Sequence, residues 1–247
     1  MPAFELIGHR GYPARYPENT LLGFEQAIDA GARYIEADVQ LSADAVPFVF
    51  HDRTLTRLCG VDGSIHQLSA EQLRRCSPFS PQAFGNRFRH IPMLQLDQLV
   101  ALLQRQPQVT LFLELKRGMM QTLAPALAVA KVLECIGPVR SQVVLISFSI
   151  KLLQQAQQQG WARLAPVLTR WYQLQQRATL SLEPEWVFLN HLKIPLGLGY
   201  DAAEPKLAVY EVSNIRDAQA LTERGIRWIE TDAIGEMLLA RDALSIS

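Results

Sequence analysis

Short runs of β-branched and aromatic residues alternate with helical stretches along the whole chain, and this alternation restricts the fold more than any other feature. The runs are Phe4–His9, Tyr34–Gln40, Val46–Phe50, Thr110–Lys116, Val143–Phe148, Arg163–Thr169, Trp186–Asn190, Leu207–Ser213 and Arg227–Asp232. Strands that alternate with helices pack as a parallel sheet covered by its own crossovers. Between Gln40 and Val46, however, lies only Leu41-Ser-Ala-Asp-Ala45, well short of the roughly dozen residues that a parallel crossover needs. Val46–Phe50 is therefore expected to fold back antiparallel, with a turn centred on Ala43-Asp44 that sets Glu36 opposite His51. Removing that hairpin strand leaves the unit count of an α/β, (β/α)8 TIM barrel.

Helices are expected over Leu21–Ala30, Asp97–Gln106, Gln121–Cys135, Ile150–Gln159, Ile215–Glu223 and Gly235–Ala240. Gly31, Gly160 and Gly225 stand where C-terminal caps fall, and Asn19-Thr20 offers an N-cap ahead of Leu21. Residues 53–92 interrupt the rhythm with Gly60-Val-Asp-Gly63, Ser77-Pro-Phe-Ser-Pro81 and a helix opening at Ser69. The expectation is one domain over residues 1–247, with 53–92 inserted near the mouth of the barrel. A chain of 247 residues, 49% of them hydrophobic, can bury the core this requires.

Lysine plus arginine equals aspartate plus glutamate, 24 each, so no basic field draws nucleic acid or an anionic membrane surface. Any anion must be recognised locally. Cys59, Cys76 and Cys135 lack CxxC spacing and read as reduced thiols of a cytoplasmic protein. Neither a signal-like leader nor an apolar run of membrane length is visible.

Residues i and i+2 of a strand share a face. Glu36 and Asp38 therefore point together, as do Glu114 and Lys116. Carboxylates facing inward are costly unless paired, and three oxygen donors, Glu36, Asp38 and Glu114, suit Mg2+ or Ca2+. Taken singly, the acidic pairs also read as salt-bridged strand ends, and His9 and His51 as hydrogen-bonded core histidines. Together they fall at or beside C-terminal strand ends, where barrels build active sites.

His9-Arg10-Gly11, Pro17-Glu18-Asn19-Thr20, Glu36-Ala-Asp38-Val39, His51-Asp52, Leu113-Glu114-Leu-Lys116 and Thr231-Asp232 resemble the signature series of the glycerophosphodiester phosphodiesterases. Leu189-Asn190-His191 and Thr231-Asp232-Ala233-Ile234 are similar to cytoplasmic bacterial members. The resemblance implies a barrel with a small insertion after the second histidine. It implies that Glu36, Asp38 and Glu114 hold one divalent cation, Mg2+ or Ca2+, and that His9 and His51 are general acid and base. Arg10 and Lys116 would hold the phosphate. The implied reaction is metal-dependent hydrolysis of a small-molecule glycerophosphodiester to sn-glycerol 3-phosphate and an alcohol, within glycerophospholipid and glycerol metabolism. Neither nucleic acid nor stable membrane association is expected, and the oligomeric state stays open.

The last third departs from the family. Tyr210-Glu211-Val212-Ser213 stands where relatives often carry an aromatic residue followed by Thr-Val-Asn. Tyr210 reads equally as a surface for the glycerol moiety and as a core tyrosine. Glu230 and Asp232 share a face and are expected to be an ordinary surface pair; Asn19 and Glu18 are expected to serve the helix N-terminus, with an indirect effect on Arg10 and the metal. The same barrel acting on a membrane lipid, with a rim at Phe79, Phe84 and Phe88, is one rival reading. A non-catalytic binding barrel and a phosphate-handling aldolase or isomerase are others.

Overall fold

The computed structural model describes residues 4–200 and 205–244. Alternation along its strands separates the apolar residues into an inner and an outer set. β1 (Glu5–Gly8), β2 (Tyr34–Leu41), β4 (Thr110–Leu115), β5 (Val143–Ser147), β6 (Leu164–Leu168), β7 (Trp186–Asn190), β8 (Lys206–Tyr210) and β9 (Trp228–Thr231) run parallel in that order. β1 pairs with both β9 and β2, which closes the barrel. Ile7, Phe112, Val144, Ile146, Ala165, Val167, Trp186, Phe188 and Ala208 form one cluster, the lumen. Their sequence neighbours, among them Leu6, Leu111, Leu113, Leu145 and Val187, belong to a second cluster together with helical residues such as Leu99, Val132 and Leu152. Strands buried on both faces are the reason these runs read as continuous apolar stretches. Edge-to-face contacts of Phe112 with Trp186 (5.4 Å), Trp186 with Trp228 (5.5 Å) and Tyr34 with Trp228 (4.8 Å) fill the lumen with aromatic rings.

β3 (Pro47–Val49) is the antiparallel hairpin strand that the short link requires. Val39 pairs with Val49 on one side and Leu115 on the other, so β3 lies on the edge of β2 that β1 uses at Tyr34–Ile35. The expected register is corrected by one residue. Val39 faces Val49 and Leu41 faces Pro47, so the turn centres on Asp44, and Glu36 projects opposite Asp52, not His51. The extra residue is Ala45, in the left-handed region at φ 62°; Ser42 Oγ accepts from the Val46 N–H at 2.9 Å and donates to Asp44 at 2.6 Å. A three-residue loop ending in a left-handed residue is a common hairpin connection.

The long helices are α1 (Leu21–Asp29), α5 (Leu96–Arg105), α6 (Pro125–Ile136), α7 (Ile150–Gln158), α9 (Ile215–Glu223) and α10 (Ile234–Leu244), with short helices α2 (Thr56–Cys59), α3 (Ala70–Arg74), α4 (Pro81–Phe84) and α8 (Arg177–Leu180) between them. Gly31, Gly160 and Gly225 follow α1, α7 and α9 with positive φ, as caps require. α6 starts four residues later than expected because Pro125 occupies its first turn, a position that suits proline; Arg117–Gln121 forms a separate 3-10 turn. β8 stops at Tyr210, so Ser213 lies beyond the strand. α2 and α3 bury a separate cluster, in which Leu55, Leu58, Ile65 and Leu73 pack with Phe48 and Phe50. Phe84 and Phe88 meet edge-on at 5.2 Å, and Phe88 lies 6.1 Å from Tyr16; Phe79, Phe84 and Phe88 are each half-buried. Among the described residues no helix is long and apolar enough to cross a membrane.

Candidate active site

Parity and strand length place the polar residues. Glu36 and Asp38 share the lumen face of β2, Glu114 and Glu230 those of β4 and β9, and His9, Arg10, Lys116 and Asp232 follow the ends of β1, β4 and β9. These ends open on a cavity of about 160 Å3. The charged residues of its lining are His9, Arg10, Glu36, His51, Glu114, Lys116, Glu211 and Glu230, so the departure at Glu211 adds a carboxylate to the mouth; its apolar half is lined by Ile146, Phe148, Val167, Phe188 and Tyr210.

Glu36, Asp38 and Glu114 bring one carboxylate oxygen each to within 4.8 Å of one another, all three residues being buried. Lys116 Nζ lies 3.1 Å from both Asp38 Oδ1 and Glu114 Oε1, and Arg10 Nε lies 3.2 Å from Asp38 Oδ2. Two cations do not balance the group. Burial, then the Asp38 charge, pushes the Glu114 carboxyl up to about 7. Burial, Asp38 and Glu230 push Glu36 well above the carboxylate range. For Asp38, burial is outweighed by Lys116 and Arg10, which hold it low. Buried carboxyl groups in excess of their counter-charges, presenting hard oxygen donors at this spacing, fit a divalent cation such as Mg2+ or Ca2+.

Each histidine is oriented by a carboxylate. His9 Nδ1 lies 2.7 Å from Asp232 Oδ1 and its Nε2 3.7 Å from Glu230 Oε1; His51 Nδ1 lies 2.7 Å from Asp52 Oδ1. Burial alone would push the His9 imidazolium down, but Glu230, Asp232 and Glu36 together raise it to about 10. His9, Glu36 and Glu230 form a second group with ligand atoms close enough to hold a metal ion. Glu230 is thus not the surface residue expected. It is 4% exposed, and burial, partly opposed by His9 and Arg10, raises its carboxyl to about 7.

Two other assignments change. Thr20 alone caps α1, accepting from the Gly23 N–H at 3.1 Å. Asn19, at φ 55°, donates its Nδ2 to Asp38 Oδ2 at 2.8 Å and accepts from the Asp38 N–H at 3.2 Å. Glu18 serves no helix terminus but accepts from Arg10 Nη1 at 2.9 Å and from Arg57. Arg10, itself left-handed at φ 52°, donates its backbone N–H to Glu36 Oε2 at 3.1 Å. Every residue expected in the site therefore converges on one cavity or its floor. Arg57 and Glu230 join them through contacts the linear sequence does not display, and Glu18 and Asn19 touch Arg10 and Asp38 directly where the sequence suggests an indirect effect.

Comparison with known proteins bears on this arrangement. The model of the glycerophosphoryl diester phosphodiesterase family matches residues 9–236. The chain belongs to that family. A glycerophosphodiester phosphodiesterase of Bacillus altitudinis is 31% identical over 114 residues, 46% of each protein. A rat glycerophosphodiester phosphodiesterase 1 is 36% identical over 91 residues, 36% of this chain and 28% of that protein. The chain thus spans less than half the length of these curated relatives. Among solved structures, a phosphodiesterase of Oleispira antarctica in complex with the product sn-glycerol-3-phosphate superposes with a TM-score of 0.81 at 20% identity, covering 96% of each chain. A glycerophosphodiester phosphodiesterase of Agrobacterium tumefaciens gives 0.75 at 22% identity, over 96% of this chain and 99% of that one. These similarities establish that the barrel is shared. Within the phosphodiesterase family, the match begins at His9 and ends at Glu236, so it encloses both histidines and all four buried carboxylates.

Proposed function

We propose that this chain hydrolyses glycerophosphodiesters to sn-glycerol 3-phosphate and a free alcohol, with one divalent cation, Mg2+ or Ca2+, held by Glu36, Asp38 and Glu114. The observation that carries this reading is one cavity in which two carboxylate-held imidazoles face a three-carboxylate cluster beside Arg10 and Lys116. Family membership and the product held by the Oleispira antarctica relative support it. The cation would supply Lewis-acid polarisation of a phosphoryl oxygen. Arg10 and Lys116 bind the phosphate and stabilise charge that builds on its oxygens. One of His9 and His51 takes the proton of the attacking hydroxyl while the other returns a proton to the leaving alkoxide. The apolar half, with Tyr210, receives the glycerol carbons. We read residues 1–247 as one domain in which 53–92 is an insertion beside the mouth, acting in the cytoplasm in glycerophospholipid and glycerol metabolism.

The test is release of sn-glycerol 3-phosphate from glycerophosphocholine with and without EDTA, for the wild type and His9→Ala. Release should require both the cation and His9, with the variant at least about 100-fold slower, as loss of a proton-transfer group predicts. Equal rates in the presence of EDTA would sink the metal assignment. No release from any of several glycerophosphodiesters would sink the reaction.

A further inference from the structure

We propose that Arg57 is a positioning residue that fixes the phosphate-binding arginine and the second histidine relative to each other, making the insertion a working part of the active site. The inference rests on the function proposed above. Arg57 stands on α2, the first helix of the insertion, and is absent from the cavity lining. Its guanidinium forks on both sides. Nη1 donates to Glu18 Oε2 at 2.7 Å and Nη2 to Glu18 Oε1 at 2.9 Å. Nε donates to Asp52 Oδ2 at 2.7 Å and Nη2 to Asp52 Oδ1 at 2.8 Å. Each carboxylate shares one of those oxygens with a site residue: Glu18 Oε1 also takes Arg10 Nη1 at 2.9 Å, and Asp52 Oδ1 also takes His51 Nδ1 at 2.7 Å. The sequence of contacts is Arg10, Glu18, Arg57, Asp52, His51.

Planar, two-sided, bidentate bonding is particular to arginine; a lysine ammonium in its place cannot form both forks. Without Arg57, Glu18 and Asp52 lose the charge between them. The carboxylates are largely buried while Arg57 is 43% exposed, so it bridges them from the solvent side. Its placement is set by the insertion: Leu58 and Cys59, the next residues of α2, pack in the separate cluster with Phe48 and Phe50. Arg57 lies outside the cavity, so an Arg57 that only anchored the insertion would change stability and leave turnover of the folded protein unchanged. A misplacement of about 1 Å in a catalytic group can cost about 100-fold in rate.

The experiment measures kcat and KM on glycerophosphocholine for Arg57→Gln and Arg57→Lys, alone and in a Glu18→Gln/Asp52→Asn background. It is accompanied by proton NMR of the His51 ring N–H and by thermal unfolding. Arg57→Gln should lower kcat about 10- to 100-fold at a temperature where thermal unfolding shows the variant still fully folded, since loss of the bridging charge also lowers the midpoint. Arg57→Lys should recover less than a tenth of the wild-type rate. In the carboxylate-deleted background Arg57→Gln should cost less than about threefold more, the non-additivity of residues acting through one another. The His51 Nδ1–H resonance should be protected from exchange in the wild type and lost in Arg57→Gln. A kcat within threefold of wild type, or equal losses in the two backgrounds, overturns the proposal. If the wild type hydrolyses no glycerophosphodiester, the function fails separately, and an unchanged Nδ1–H resonance in Arg57→Gln then overturns the linkage on its own.

Discussion

Asn19 gives both ends of its amide to Asp38, so one side chain fixes the orientation of a carboxylate in the proposed cation cluster and stabilises its charge. Partners behind a ligand usually matter about 10- to 100-fold in metal affinity. Asn19→Leu should weaken Mg2+ or Ca2+ binding by that factor in isothermal titration while α1 keeps its Thr20 cap and the far-ultraviolet spectrum is unchanged. The sequence offers Asn19 as a helix cap acting only indirectly on the site, because helix capping and a contact with β2 both favour the same amide. Positive φ decides between them, and φ is a property of the folded chain. Glu230 is similar: its parity with Asp232 can be read directly, but whether that shared face is lumen or solvent is fixed only when β9 pairs with β1.

Among the elements, the β2–β3 hairpin carries the second histidine. Gln40 Nε2 reaches the carbonyls of Phe50, His51 and Asp52 at 3.0, 2.9 and 2.7 Å, holding the chain where it leaves β3. Gln40→Leu removes the donor from three partly buried carbonyls. At roughly 1 kcal/mol per lost bond, it should cost about 2–4 kcal/mol in urea unfolding at an unchanged m-value. The hairpin itself is legible in the sequence, since five linking residues cannot carry a crossover. Its register is not, because a two- and a three-residue turn differ by one position and only Ala45's left-handed backbone distinguishes them. Pro125 marks the true start of α6 plainly, and the helical composition upstream of it belongs to a 3-10 turn.

At the scale of the whole molecule, the barrel gathers Glu36, Glu114 and Glu230 at one end of a lumen whose other contents are aromatic and aliphatic. Burial raises all three carboxyls. Acids that titrate higher when folded than when unfolded withdraw stability as pH rises from the unfolded value, about 4.3, towards and past the folded one. The cation-free protein should therefore lose thermal stability between about pH 5 and pH 8. A cation that binds the ionised carboxylates restores it. Adding Mg2+ or Ca2+ should raise the midpoint more at pH 8 than at pH 5, measured by calorimetry at fixed ionic strength; a shift independent of pH would contradict the cluster as the binding site. The (β/α)8 frame behind this arrangement is readable from alternation together with the short link that removes Val46–Phe50 from the count. The half-charged, half-apolar division of the cavity is not, because it depends on which strands become neighbours around the circle.

The bond between His9 and Asp232 spans 223 residues of sequence, whereas Glu36, Asp38 and Glu114 all lie in the first half of the chain. A ribosome delivers those carboxylates, and both histidines, long before β9 emerges to clamp His9 and close the sheet. Long-range pairings of this kind form late. The nascent chain would thus pass through a stage that holds the cation donors but leaves His9 without its orienting carboxylate. Turnover would then begin only with the last strand, and catalytic activity would serve as a clock for closure of the barrel.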